Sequence, residues 1–364
     1  MILEHIEKFV ITNKWTHLSH GHARDELVRV QKYLDLNGVG NEILSNDSSF
    51  GDTFALRKFV FLEKIPHNLN RSFIFRISNN IIDKDIRRTW EKYVQVNENS
   101  HKSFVVTSGT IQDLIFLVNS SIMSKIFIRL THLEGLSELS PVNLKSICEG
   151  IRLQKLHLAI ETIDGCDKFF AETGIKTLWV PPAQGIFFAE NFYPSAIKKR
   201  TKVGIFWPIT SRPSIKSILN FLENIEGRNT VVRLPPHTDR TEIKKRFPAL
   251  EIVENGLDFE AFEEVTSEIS RAILPHTSYI NRGSGLAYFF LSKGVPLLVD
   301  ESNSFIKEIY LSNLVTSISY RNLDSSAHVI KRFLHDDRMM NLISTKLFSI
   351  GVSDRWKNFL LPNY

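Results

Sequence analysis

Four residues, Arg282-Gly283-Ser284-Gly285, stand between an apolar run that ends at Leu274-Pro275 and another that begins at Leu286. If the first run is a strand and the second a helix, the opening backbone N–H groups of that helix have no partner inside it. Such a terminus can hold a phosphate: the glycines let the backbone come close, Ser284 can cap or donate, and Arg282 adds a planar fork of donors. A tight turn with a serine cap accounts for the same letters. Other chemically capable residues recur at the ends of strand-like runs. Arg212 and Lys216 follow 202–207, Arg233 and His237 close 230–234, Asn255-Gly256 follows 251–253, and Tyr279 precedes Arg282. In the first half, His20 and His22 flank Gly21 with Asp25 and Glu26 beyond, and His132 follows the apolar run 126–130. An imidazole or carboxylate in these places could take a proton from a hydroxyl. The histidines also raise a metal site, but no cysteine or carboxylate cluster completes a ligand set, so no metal is expected.

Strand and helix patterns that would position these residues alternate twice along the chain. Short β-branched or aromatic runs at 9–12, 72–77, 103–106, 125–130, 156–160 and 178–180 predict strands. Helical spacing predicts helices at 24–36, 85–94, 111–119, 141–153 and 166–173, the first with Leu27, Val30, Gln31 and Leu34 on its inner face. Pro181-Pro182 ends this series. Strands at 202–207, 230–234, 251–253, 271–274 and 296–299 then alternate with helices at 214–222, 239–247, 259–267 and 285–292. Parallel crossovers need a dozen or more residues and usually a helix, so the expected class is α/β with two Rossmann-like domains. The predicted organisation is a first domain over 1–185, a linker over 186–201, a second domain over 202–335 and closing helices over 336–364.

With 364 residues the chain is long enough for two packed cores. Its two cysteines, Cys148 and Cys166, provide no disulfide framework, which predicts a reducing, cytoplasmic setting. The acidic opening Met1-Ile2-Leu3-Glu4 does not read as a signal peptide. The longest apolar stretch, 286–299, is broken by Ser292, Lys293, Gly294 and Pro296, short of the ~18–20 apolar residues of a spanning helix. The net charge of +5 is small and its excess lies in the second half, where it could meet an anionic ligand. No basic stripe with interleaved aromatics suggests a nucleic acid partner.

The segment 273–299, an apolar strand ending in Pro275, a polar loop, Ser284-Gly285 opening a helix, then Gly294-Val295-Pro296 and another apolar strand, resembles the donor-binding segment of glycosyltransferases with the GT-B fold. It is most similar to the retaining family related to sucrose and glycogen synthases. The resemblance implies two Rossmann-like domains facing across a cleft, with a helical tail crossing back to the first. It implies a nucleotide-diphosphate sugar as co-substrate with no bound cofactor or metal, and a glycan, lipid-linked or protein acceptor, with peripheral membrane association left open. It places Arg212, Lys216, Arg233, His237, Asn255, Gly256, Tyr279, Arg282, Gly283, Ser284 and Gly285 around the donor. His132 would stand beside the reacting sugar, and His20 and His22 in the loop over the donor.

The sequence departs from that family at one point. Aligned on Gly294 and Pro296, its paired glutamates are replaced by Asn281 and Phe289. A non-catalytic binding or scaffold protein of the same fold therefore stays open beside the transferase, as does a nucleotide-sugar epimerase.

Overall fold

The computed structural model describes residues 8–13, 22–44, 88, 102–120, 124–186, 200–207, 213–225, 229–235, 238–253, 259–275, 285–300, 316–318, 323–335 and 352–362. The strand expected at 72–77 and nearly all of the helix expected at 85–94 lie outside these residues.

The chain divides into two units, Met1–Ile160 with Lys168–Leu178, and Glu161–Asp167 with Trp179–Tyr364. In order, the first series contains β1 (Lys8–Thr12), α1 (His22–Leu36), β2 (Asn41–Leu44), β3 (Lys102–Thr110) and α2 (Ile111–Asn119). It continues with β4 (Ile126–His132), α3 (Pro141–Arg152), β5 (Leu156–Ile160), α4 (Ile163–Thr173) and β6 (Leu178–Trp179). These strands form a sheet of order β2-β1-β3-β4-β5-β6. The second series contains β7 (Lys202–Phe206), α5 (Ile215–Glu223), β8 (Thr230–Arg233), α6 (Arg240–Arg246), β9 (Glu251–Val253) and α7 (Phe259–Thr266). After it come β10 (Ile269–Leu274), α8 (Gly285–Ser292), β11 (Leu297–Asp300), β12 (Thr316–Ile318), α9 (Leu323–His335) and α10 (Val352–Leu360). Their sheet has the order β12-β11-β10-β7-β8-β9. The registered pairings are parallel. The architecture is the expected one: two Rossmann-like units, each a parallel sheet flanked by helices, with a helical C-terminal region.

Local chemistry explains where elements start. Thr110 caps α2 through a reciprocal pair, its hydroxyl accepting from the Asp113 N–H at 3.3 Å while its own N–H donates to the Asp113 carboxylate at 2.8 Å. Ser140 accepts from the Asn143 N–H ahead of α3, with Pro141 in the first turn, and Ser214 does the same for α5 with the Ser217 N–H. On α1 the inner face is Leu27, Val30, Tyr33 and Leu34, whereas Gln31 is only partly buried. Tyr33 takes the place expected of Gln31 because positions 30, 33 and 34 line one helical stripe.

Period-two alternation sorts the second sheet into two layers. Val203, Ile205 and Trp207 of β7 and its extension pack with Ile218 and Leu222 of α5, Ile243 of α6 and Ile330 and Phe333 of α9. Phe206 faces the opposite layer, edge-on to Phe262 of α7 at 5.8 Å between centroids and tilted against Phe290 of α8 at 5.1 Å. Gly204 shares that face. A Cβ there would lie 2.6 Å from the Phe206 ring and 2.7 Å from Ile269, so the missing side chain leaves the space into which the ring leans.

The C-terminal region is held within the second unit. The Trp356 indole N–H of α10 donates to the Pro181 carbonyl at 3.0 Å, and the Arg355 guanidinium lies 4.0 Å over the Trp179 ring. A 3-10 turn at Ala183–Gly185 packs in turn against α8.

Candidate functional site

In a parallel sheet, ligands collect beyond the carboxyl ends of strands where the strand order reverses. In the second sheet β7 leads outward to β8 and β9, and the chain then returns to β10 on the other side of β7. The reversal lies between β7 and β10. The chain leaves β7 for α5 and β10 for α8 at this edge.

Helix α8 is fixed by burial along its length. Leu286, Ala287, Tyr288, Phe289, Phe290 and Leu291 are all buried. Phe289 stacks edge-on with Phe290 and tilts against Phe262, and Lys293 beyond the helix sits 5.0 Å over the Phe289 ring while pairing with Glu263 at 2.7 Å. The position taken by a glutamate in the resembled family is thus a core aromatic. Gly285 opens the helix at the carboxyl edge of the sheet.

Arg233 ends β8. Its Nη2 donates to the Trp207 carbonyl at 3.2 Å, its guanidinium lies 5.7 Å from the Phe206 ring centroid, and its Nε is buried with no acceptor. Burial pulls this guanidinium well below its ordinary range, down to about 10. Lys216 is an exposed residue in the first turn of α5. Arg212, His237, Asn255, Gly256, Tyr279, Arg282, Gly283 and Ser284 lie outside the described residues.

The first sheet reverses between β1 and β3, since β1 leads to β2 and the chain returns to β3 on its other side. Its carboxyl edge is polar. Asn13 donates to the Thr107 hydroxyl at 3.1 Å, and the hydroxyls of Ser108 and Thr131 are 2.8 Å apart. Arg129 of β4 is fully buried, donating from Nε to the Thr107 carbonyl at 2.8 Å and from Nη2 to Glu26 of α1. The register of β3 on β4 shifts twice between Val106 and Thr110, and a Cβ at Gly109 would meet Ile128 at 2.8 Å. Bulges of this kind re-aim side chains at the end of a strand.

His132 closes β4 at that edge, partly exposed, with Nδ1 3.3 Å from the Glu134 carboxylate. His20 lies outside the described residues, and His22 begins α1. The two carboxylates beyond it are committed elsewhere. Asp25 pairs with Arg29 at 2.8 Å and Glu26 pairs with Arg129, so neither is poised as a base. Sequence reasoning missed Arg129, Thr107, Ser108 and Thr131; the only signal was polar letters inside an apolar strand.

Among the described residues, no group of three His, Cys, Asp or Glu side chains is placed to hold a metal. The sequence holds an Asp-X-Asp triplet, Asp83-Lys84-Asp85, outside them. No described helix is long and apolar enough to cross a membrane.

No family model and no curated protein matches this sequence. Solved structures do. Sucrose-phosphate synthase from Thermosynechococcus elongatus is similar with a TM-score of 0.60 at 9% identity, over 98% of this chain and 97% of that one. A glycosyltransferase from Rickettsia africae gives 0.57 at 13% identity, over 98% and 99%. The trehalose-6-phosphate protein of E. coli bound with UDP-2-fluoro glucose gives 0.56 at 9%, over 97% and 98%. The likeness spans both units with little identity, and what it establishes is the fold: this chain is built on the GT-B architecture.

Proposed function

We propose that this chain is a glycosyltransferase that moves a sugar from a nucleotide-diphosphate sugar to a glycan, lipid-linked or protein acceptor without a metal ion. The observation that carries the reading is the start of α8 at the reversal point of the second sheet, straight after Arg282-Gly283-Ser284. Departure of a nucleoside diphosphate leaves charge on its phosphates, and helix N–H groups with guanidinium and ammonium cations can stabilise it. On this reading residues 202–335 hold the donor, with Arg212, Lys216, Arg233, His237, Asn255, Gly256, Tyr279 and 282–285 around it. Residues 1–185 face the acceptor, 186–201 link the two, and 336–364 close the fold. His132, His20 and His22 are the proposed catalytic groups. Similarity in fold to a glycosyltransferase and to a protein bound with UDP-2-fluoro glucose supports the substrate class. A cytoplasmic setting fits two cysteines that form no disulfide.

The screen that tests this measures melting temperature and binding heat with UDP-, GDP-, ADP- and CMP-sugars, each with a chelator and again with Mg²⁺ or Mn²⁺. One nucleoside-diphosphate sugar is expected to bind equally well in both buffers. Binding by none of them overturns the reading, and binding only with metal overturns its metal-free form.

Burial of Phe289, where the resembled family has a carboxylate, favours a second reading in which the chain binds a nucleotide sugar without transferring it. Turnover separates the two. With an acceptor in hand, His132→Ala is expected to lower kcat by about 10²-fold or more while nucleotide affinity changes little, because a contact made mainly in the transition state appears in the rate. Near-wild-type turnover with a normal melting temperature would remove His132 from the chemistry.

A further inference from the structure

The two helical layers of the second unit differ in charge. Helices α5, α6 and α9 share one core on one face of the sheet, through Ile218, Leu222, Ile243, Ile330 and Phe333. On the outside of that layer Lys244, Lys245 and Arg246 stand together in the last turn of α6, and Lys331 and Arg332 stand together on α9, all of them exposed. Helix α7, on the other face, has no basic residue. Because α6 leads from the end of β8 to the start of the parallel strand β9, its last turn lies at the amino edge of the sheet. Helix α9 sets out from the carboxyl end of β12, so its later turns lie toward the same edge. The start of α8 is at the opposite edge.

The carboxylates near these cations are committed or stand elsewhere. Glu223 pairs with Arg246, and Glu251 and Glu268 both hold Lys202. Asp239 and Glu242 open α6, at the end away from the cluster. Among the described residues no carboxylate pairs with Lys244, Lys245, Lys331 or Arg332. A cation in the last turn offsets a helix dipole, but one suffices, and neighbouring cations repel each other.

What would cover such a face follows from what it lacks. Every large exposed apolar side chain among the described residues, from Val28 to Leu178, belongs to the first unit. A protein partner needs apolar or aromatic anchors and unpaired bases need aromatic faces, and this layer offers neither. With α5 between α6 and α9, the usual spacing of packed helices sets the two clusters about 20 Å apart. A small anion cannot meet both. A sheet of phosphate headgroups can, and it requires no pocket.

We propose that this face of the second unit, with Lys244 and Lys245 of α6 and Lys331 and Arg332 of α9, docks the chain on an anionic lipid surface by charge. The contact is independent of the transferase reading. It uses the amino edge of the sheet and leaves the carboxyl edge open, so the failure of either leaves the other standing.

The test sediments the full chain with vesicles of phosphatidylcholine and with vesicles of phosphatidylcholine and phosphatidylglycerol in equal parts. Binding to the anionic vesicles alone is expected, and it should weaken steeply as salt is raised. The combined variant Lys244→Gln, Lys245→Gln, Lys331→Gln, Arg332→Gln is expected to lower that binding at least tenfold. A control variant, Lys145→Gln, Lys155→Gln, Lys168→Gln, Lys176→Gln, removes as many exposed charges from the first unit and should keep most of it. Melting temperatures accompany both; if the combined variant does not fold, the α6 pair and the α9 pair changed separately carry the test. No binding by the wild-type chain, or equal binding to uncharged vesicles, overturns the proposal. So does an equal loss in both variants, which would assign the attraction to net charge and not to this face. Binding of a DNA duplex but of no vesicle, lost in the α6 and α9 variant, would give the face to a nucleic acid and overturn the lipid partner.

Discussion

A Gly285→Val chain is expected to remain folded and to lose its affinity for the nucleotide sugar by 100-fold or more. Gly285 is the first residue of α8, where helical backbone angles are open to valine, whose intrinsic helix propensity exceeds that of glycine by a few tenths of a kcal/mol. Six consecutive buried residues from Leu286 to Leu291 hold the helix in place whatever occupies its first position. A phosphate bound at that terminus must bring its oxygens to hydrogen-bonding distance of the first N–H groups, and an isopropyl group on the opening residue stands in the way. Calorimetry with the donor found in the screen, beside a thermal melt, reads both halves of the expectation. Full affinity in a folded Gly285→Val chain would move the diphosphate away from α8.

Glu26→Ala is expected to be the most damaging single change to stability in the first unit. Arg129 and Glu26 are both buried, and removing the carboxylate leaves a guanidinium inside the protein with its charge unpaired, a loss of about 3–5 kcal/mol. For a unit of this size that lowers the melting temperature by roughly 10 °C. Replacing both partners, Glu26→Leu with Arg129→Met, should recover most of the loss, since two well-packed apolar side chains need no counter-charge. Recovery will be incomplete because the Thr107 carbonyl loses the Arg129 Nε donor. If the double variant melts no higher than Glu26→Ala, the pair stabilises through packing and not through charge compensation. A melting temperature of Glu26→Ala within a degree or two of wild type would mean that the pair contributes little.

The elements that could be read from the letters are those with apolar periodicity. The runs at 126–130, 156–160 and 271–274 are rich in Ile, Leu and other apolar letters, and each became a buried strand, the last extended back to Ile269. β2 was not visible because Asn41-Glu42-Ile43-Leu44 has only two apolar letters and owes its pairing to the register with β1. β3 runs four residues beyond the expected 103–106 because its end, Thr107 to Thr110, is held by polar contacts with Arg129, Thr131 and Asp113. α9 was missed because Asp324, Ser325 and Ser326 open it with turn-forming letters, and its apolar face, Ile330 and Phe333, needs the second sheet to define it. For the site, the strand ends carrying His132 and Arg233 could be named from pattern alone. The bond between Glu26 and Arg129 joins residues 103 positions apart, and the orphaned Nε of Arg233 exists only once β7 and β8 lie side by side. No local pattern encodes either.

The seating of Trp356 on the Pro181 carbonyl, with Arg355 over Trp179, has a consequence for how the chain is made. Synthesis runs from the N-terminal side to the C-terminal side, so the strands of the first sheet emerge from the ribosome before those of the second. Residues 179–186 then wait, without the helix that covers them, until position 352 and beyond has been added. During that interval the indole of Trp179 and the 3-10 turn lack the cover of α10, and this stretch is open to protease or chaperone. Closure over residues 179–186 is an event of α10, the last helix described.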